Sequence, residues 1–284
     1  MRSYETEEPI AVSIEMSQGT VHVIAGSRRD TVVAVNPTDR NRSADVEEAA
    51  KTTADLANGL LAISTPRNRG IARHVVGWGR SGSIDVTIEL PEGSSLTADT
   101  GVADFRCVGR LADVDIKTGV GDVRLDQTDI LRIRNGVGRV TVERVTGDVD
   151  IVAGGDLTLG DVTGDAGIKN HTGRTTIGRV GGKVSVRSAN GAVAIEDSEG
   201  EVTVKTANGD VRLGRVTRGS TSLETGFGSI EVGIREGTAA WVDANTKFGK
   251  IDNRLSPAGE PSEKTETAEI RARTAFGDVL ITRA

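Results

Sequence analysis

One twelve-residue phrase recurs along this chain, and the recurrence restricts the available folds more than any other feature. It reads KTGVGDVRLDQT from Lys117, KTANGDVRLGRV from Lys205 and RTAFGDVLITRA from Arg273. With Gly121 of TGVGDV as anchor, equivalent positions fall at Ala103, Gly138, Gly155, Gly173, Gly191, Gly209, Gly228, Gly249 and Gly277. The early steps are 17 or 18 residues, and later ones stretch to 19, 21 and 28 where IREGTAA and LSPAGEPSEKTETAE enter as loops. Around each anchor apolar residues alternate, as in Val184, Val186 and then Val193, Ile195, or Val202, Val204 and then Val211, Leu213. A period of two marks strands with one buried face. Each repeat is therefore strand, glycine turn, strand, second turn. So small a unit cannot bury its own inner face, and neighbouring units must stack to make a core. The predicted fold is all-β, a single-stranded parallel β-helix (β-solenoid) with about 17–18 residues per coil.

Stacking turns equivalent positions into columns. Three before the anchor stand short polar residues, among them Thr100, Thr118, Asn135, Asn170, Ser188, Thr206, Thr225, Thr246 and Thr274, suited to hydrogen bonds from coil to coil. One before it, Phe227, Phe248 and Phe276 align, which places three of the four phenylalanines in one stack. Cys107 falls in the column of Leu125 and Val142 and reads as a small buried hydrophobe rather than a reactive thiol. Six after the anchor Arg144, Asp161, Arg179, Asp197 and Arg215 alternate in sign, and one after it so do Asp122, Arg139, Asp156 and Arg174. Opposite charges one coil apart are expected to pair across the ladder. The arginines also argue against calcium, which requires recurrent acidic ligands in its β-rolls.

The first part of the chain is less regular. VSIEMSQGTVHV fits the coil template with Gly19 as anchor, so coils can begin there. SADVEEAAKTTADLANG reads as a helix over about 44–57, with Val46, Ala49, Ala50 and Leu56 on one face, a Glu47–Lys51 pair, and Asn58-Gly59 as its stop. The predicted organisation is a β-rich capping section over residues 1–95 and solenoid repeats over 96–284.

Glycine-punctuated GDVxL coils after SIDVTIELPEGSSLTADTG, preceded by a helix and NGLLAISTP, resemble the bacterial β-strand-repeat family labelled putative adhesin, formerly a domain of unknown function and common in actinobacteria. The likeness spans nearly the whole chain. It implies a parallel β-helix without established catalytic residues, and some relatives are linked to cell-envelope stress responses.

Composition narrows function by exclusion. A formal charge of −6 does not suit a general nucleic-acid binder. MRSYETEEPI lacks a basic-then-apolar signal pattern and no run of eighteen apolar residues occurs, so the expected location is cytoplasmic, at most peripheral to the inner membrane. A lone cysteine rules out an internal disulfide. His22, His74 and His171 fall on different predicted elements without metal-ligand spacing, and no cofactor is expected. GWGRSG from Gly77 matches a dinucleotide fingerprint literally, but a strand follows it where a helix is required. The expectation is a non-catalytic scaffold or interaction protein. The alternatives are a self-assembling structural protein of the bactofilin kind and a carbohydrate-active β-helix enzyme.

Two surfaces are candidates for binding. The first is an anion-binding surface of Lys169, Arg187 and Lys205, four before their anchors and flanked by Gly167, Ser185 and Thr203 rather than acids, together with Arg67, Arg69, Arg73, Trp78 and Arg80 of the 66–82 loop. Its ligand would be anionic lipid, a polyanion or an acidic protein. The second is the last coil, read as an uncovered end where Ile270, Phe276, Val279 and Ile281 invite self-association.

Overall fold

In the computed structural model, which describes residues 1–65, 82–256 and 266–284, the alternating segments are strands. They fall into two compact units, 1–139 and 140–284.

The first unit holds β1 (Arg2–Glu5), β2 (Ala11–Gly26), β3 (Asp30–Pro37), α1 (Ser43–Lys51), β4 (Thr53–Ala57), β5 (Leu60–Ser64), β6 (Ile84–Pro91), β7 (Ser95–Val120) and β8 (Val123–Val137). β2 pairs in parallel with β7, Gly19 opposite Ala103, and β7 pairs in parallel with β8. The coil template thus applies from β2, at the anchor the sequence indicates. β2 is also parallel to β5 and β6, while β1–β3, β3–β6 and β4–β5 are antiparallel. Cys107 lies between Val23 and Leu125 in the inner column and is buried.

The helix is shorter than the expected 44–57 span. It ends at Lys51, and residues 53–57 form β4, hairpinned to β5. Asn58 and Gly59 both have positive φ, 52° and 74°, so this dipeptide is a two-residue hairpin turn rather than a helix stop. The β-branched pair Thr52-Thr53 favours that outcome, because branched side chains lose rotamer freedom in a helix. The expected apolar face is not buried either: Val46 is exposed, and Asp45 is the buried residue. Its carboxylate accepts the Asp39 and Ser83 amides at 3.2 and 2.9 Å and pairs with Arg42 at 3.1 Å.

The second unit holds β9 (Val140–Val145), β10 (Val149–Ala153), β11 (Leu157–Val162), β12 (Ala166–Thr172), β13 (Thr175–Val180), β14 (Val184–Asn190), β15 (Val193–Ser198), β16 (Val202–Asn208), β17 (Val211–Val216), β18 (Gly219–Phe227), β19 (Ile230–Ile234), β20 (Ala239–Phe248), β21 (Ile251–Asn253), β22 (Thr267–Phe276) and β23 (Val279–Arg283). They form two parallel stacks. One runs β10, β12, β14, β16, β18, β22, β20, and the other β9, β11, β13, β15, β17, β19, β23, β21. Inward valines, leucines and isoleucines from both stacks make the core.

The order of the last two coils corrects a prediction. The C-terminal coil β22–β23 is not an open end, because it lies between β18–β19 and β20–β21. Ile270, Val279 and Ile281 are fully buried there. Phe276 is stacked between Phe227 and Phe248, each ring centroid 4.8 Å from the next. The physical reason lies in what each coil turns inward. β22–β23 contributes Ala268, Ile270, Ala272, Val279 and Ile281, whereas β20–β21 offers Ala240, Val242, Ala244, Ile251 and the polar Asn253. The more apolar coil takes the covered place.

Candidate functional site

The anchor glycines set the geometry on which every surface column depends. At Gly209 φ is +145°, and a Cβ there would stand 2.2 Å from the carbonyl oxygen of Gly191 in the preceding coil. Only glycine permits that approach. The inward carbonyls so positioned are acceptors for the polar column. Thr225, Thr274 and Thr246 hydroxyls donate to Gly209, Gly228 and Gly277 at 3.0, 2.9 and 2.9 Å, and Asn135 Nδ2 donates to Gly121 at 2.9 Å. At these positions the predicted coil-to-coil bonding is present, with backbone carbonyls rather than neighbouring side chains as acceptors, whereas the buried Ser188 and Thr206 hydroxyls of the same column have no partner among the described residues.

The charge columns divide into two cases. Six after the anchor, the expected pairing occurs at the two outer steps, Arg144–Asp161 at 3.7 Å and Arg215–Asp197 at 3.3 Å, while Arg179 between the aspartates forms no ion pair among the described residues. One after it, the aspartates do other work. Asp122 and Asp156 accept the backbone amides of Arg139 and Arg174 in the next coil at 2.8 and 3.0 Å, and among the described residues neither forms an ion pair with that arginine's side chain. Asp104, Asp165 and Asp210 repeat the contact with Asp122, Lys183 and Ser229. A carboxylate just past a glycine corner is close to the next coil's amide, and a charge-assisted bond to that amide is the nearer partner. The GD dipeptide was the available signal for this role.

Each unit carries a surface groove among its described residues. In the first unit about 260 Å³ is lined by Thr20, His22, Asp104, Arg106, Asp122 and Arg124, whose aspartates are those already bound to amides. In the second unit about 390 Å³ lies among Glu143, Gly160, Asp161, Gly178, Arg179, Glu196, Asp197 and Arg215. Its floor is backbone, because Gly160 and Gly178 occupy the column between Glu143 and Glu196. No group of three His, Cys, Asp or Glu among the described residues is placed to hold a metal. Burial, and secondarily the charge of Asp126, push the Cys107 thiol up to about 12.

Lys169, Arg187 and Lys205 stand in one exposed column, each opposite the next. Lys205 is not uncompensated, since its Nζ lies 3.1 Å from Glu224 one coil on. Lys169 and Arg187 form no ion pair among the described residues. Arg67, Arg69, Arg73, Trp78 and Arg80 lie outside the described residues. Sequence reasoning missed the second tryptophan, Trp241, which is exposed and whose ring centroid lies 6.0 Å from the Arg271 guanidinium. Among the described residues no helix is long and apolar enough to cross a membrane.

Parallel coils with glycine corners, in-register polar and charged columns and a small apolar interior define a β-solenoid repeat protein. The chain belongs to the Toastrack DUF4097 family, whose model matches residues 11–282. Among solved structures it is similar to a "putative adhesin" from Bacteroides fragilis at 13% identity, over 99% of this chain and 95% of that one, with a TM-score of 0.37. It is also similar to a "putative adhesin" from Parabacteroides merdae at 8% identity, over 100% and 95%, with a TM-score of 0.36. A "putative lipid binding protein" from Parabacteroides distasonis matches at 10% identity, over 100% and 95%, with a TM-score of 0.35. A comparison with curated proteins yields no match.

Proposed function

We propose that this chain is a non-catalytic β-solenoid scaffold that holds other macromolecules against the outside of its coils. The observation that carries the reading is the employment of the carboxylates. Those beside the corners hold backbone amides of the next coil, and Asp161 and Asp197 hold arginines. In the groove of the second unit, Glu143 and Glu196 are three coils apart. That is roughly 14 Å at ~4.8 Å per coil, whereas paired glycosidase carboxylates stand about 5–9.5 Å apart. The spacing speaks against a carbohydrate-cleaving site there.

The partner favoured for this scaffold is an anionic surface met by Lys169 and Arg187, with a peripheral place on the cytoplasmic side of the inner membrane, where anionic headgroups concentrate. Co-sedimentation of the purified protein with anionic and neutral vesicles tests it. Retention specific to the anionic vesicles should fall as salt rises, and fall further when Lys169, Arg187 and Lys205 are changed together to Ser. Equal, negligible retention of both proteins would remove the anionic partner. Release of reducing ends from a polysaccharide by the purified protein would remove the non-catalytic reading.

A further inference from the structure

We infer that two copies of this chain join tail to tail through β20–β21, edge to edge and antiparallel, about a two-fold axis at Asn245. Among the described residues β20 pairs only with β22, and β21 only with β23, so this coil presents a sheet edge. Its inner face is also uncovered. Ala240, Val242 and Ala244 are half-exposed and Ile251 is 48% exposed, whereas Ile270, Ala272, Val279 and Ile281 one coil earlier are at 0%. An apolar interior opening at an unpaired edge attracts another strand pair of the same spacing, and a second copy's β20–β21 has that spacing. A two-fold closes the assembly, so it stops at a dimer.

The side chains along β20 select the register. Outward positions hold Trp241, Asp243, Asn245 and Lys247. In antiparallel pairing centred on Asn245, Asp243 stands opposite the partner's Lys247, and the symmetry makes the contact twice. This is the one register that opposes those two residues. Centring on Asp243 or on Lys247 would place a charge against its own copy, which repels. Lys247 forms no ion pair within the chain among the described residues, so its ammonium is available, while Asp243 shares its carboxylate with Arg273 at 3.4 Å. The same register sets Phe248, 65% exposed, opposite the partner's half-exposed Val242.

Sedimentation equilibrium across a concentration series tests the pairing on the intact chain, on Lys247→Glu, on Asp243→Lys, and on an equimolar mixture of the two variants, with circular dichroism to verify folding. The intact chain should dimerise, and each variant alone should weaken its dimer by about ten-fold or more, because two exposed pairs turn from attractive to repulsive. The mixture should recover dimer, since each introduced charge then faces its opposite on the other variant. A monomer at every concentration for the intact chain would overturn the inference. So would a dimer indifferent to both substitutions, or folded variants whose mixture associates no better than either alone.

Discussion

Replacing Gly209 by alanine, with Gly167→Ala as its control, tests the idea that glycine corners set the coil spacing. At Gly209 the added Cβ would lie 2.2 Å from Gly191 O and 2.5 Å from Gly191 C, both backbone atoms of the preceding coil, with φ at +145°. Holding an L-residue in such a left-handed conformation costs about 1–2 kcal/mol. Relief of the contact requires the coils to part, which stretches the bonds Gly191 N–H to Asn208 O and Val193 N–H to Asp210 O that join them, at 2.8 and 2.9 Å. Losing two backbone hydrogen bonds at about 0.5–1.5 kcal/mol each brings the expected destabilisation to roughly 2–5 kcal/mol. At Gly167 the nearest atom to an added Cβ is 3.6 Å away, an ordinary contact, and φ is not positive. Alanine there should be neutral or stabilising by up to about 1 kcal/mol, through a less flexible unfolded chain. Urea denaturation followed by far-ultraviolet circular dichroism measures both. Indistinguishable midpoints for the two variants, or a Gly209→Ala midpoint equal to that of the parent, would refute the reasoning.

Two further outcomes are expected. Cys107 should resist alkylation in the native protein, and its raised thiol value should make alkaline stability depend on it: the unfolded thiol ionises near 9.0 and the folded one near 12, so stability is full below pH 9.0 and declines as pH rises toward 12. Cys107→Val should flatten that decline in melting temperature plotted against pH, and parallel curves for the two proteins would contradict the assignment. Phe276→Ala removes two stacked ring contacts and Phe227→Ala one, so at about 0.5–1.5 kcal/mol per pair the former should lose roughly twice the stacking stabilisation in thermal melts; equal losses would mean the rings do not act as a ladder.

The repeating architecture was legible because a solenoid's contacts obey a fixed sequence offset. Once Gly121, Gly138 and Gly191 are aligned, the neighbours of Asn135 or Arg144 follow by counting, and the phenylalanine stack and buried Cys107 follow with them. The segment over 44–57 was less legible, because helical periodicity and a hairpin turn signal overlapped and pairing with β5 decided between them. The amide-binding role of Asp122 and Asp156 depended on how near the next coil's N–H lies, which side-chain charge alone does not report.

What this amino-acid sequence determined by itself was the coil: its strands, its glycine corners, the side chains it turns inward, and therefore the solenoid that stacking must produce. What the tertiary structure decided was the order of the stack at its end. Register depends on which residues match, and β22–β23 matches the β18–β19 coil and the β20–β21 coil alike, so matching cannot tell which coil lies outermost. Burial settles it. The interior excludes water best when Ile270, Val279 and Ile281 are enclosed on both sides, and the coil with Asn253 and a three-residue β21 is left at the edge.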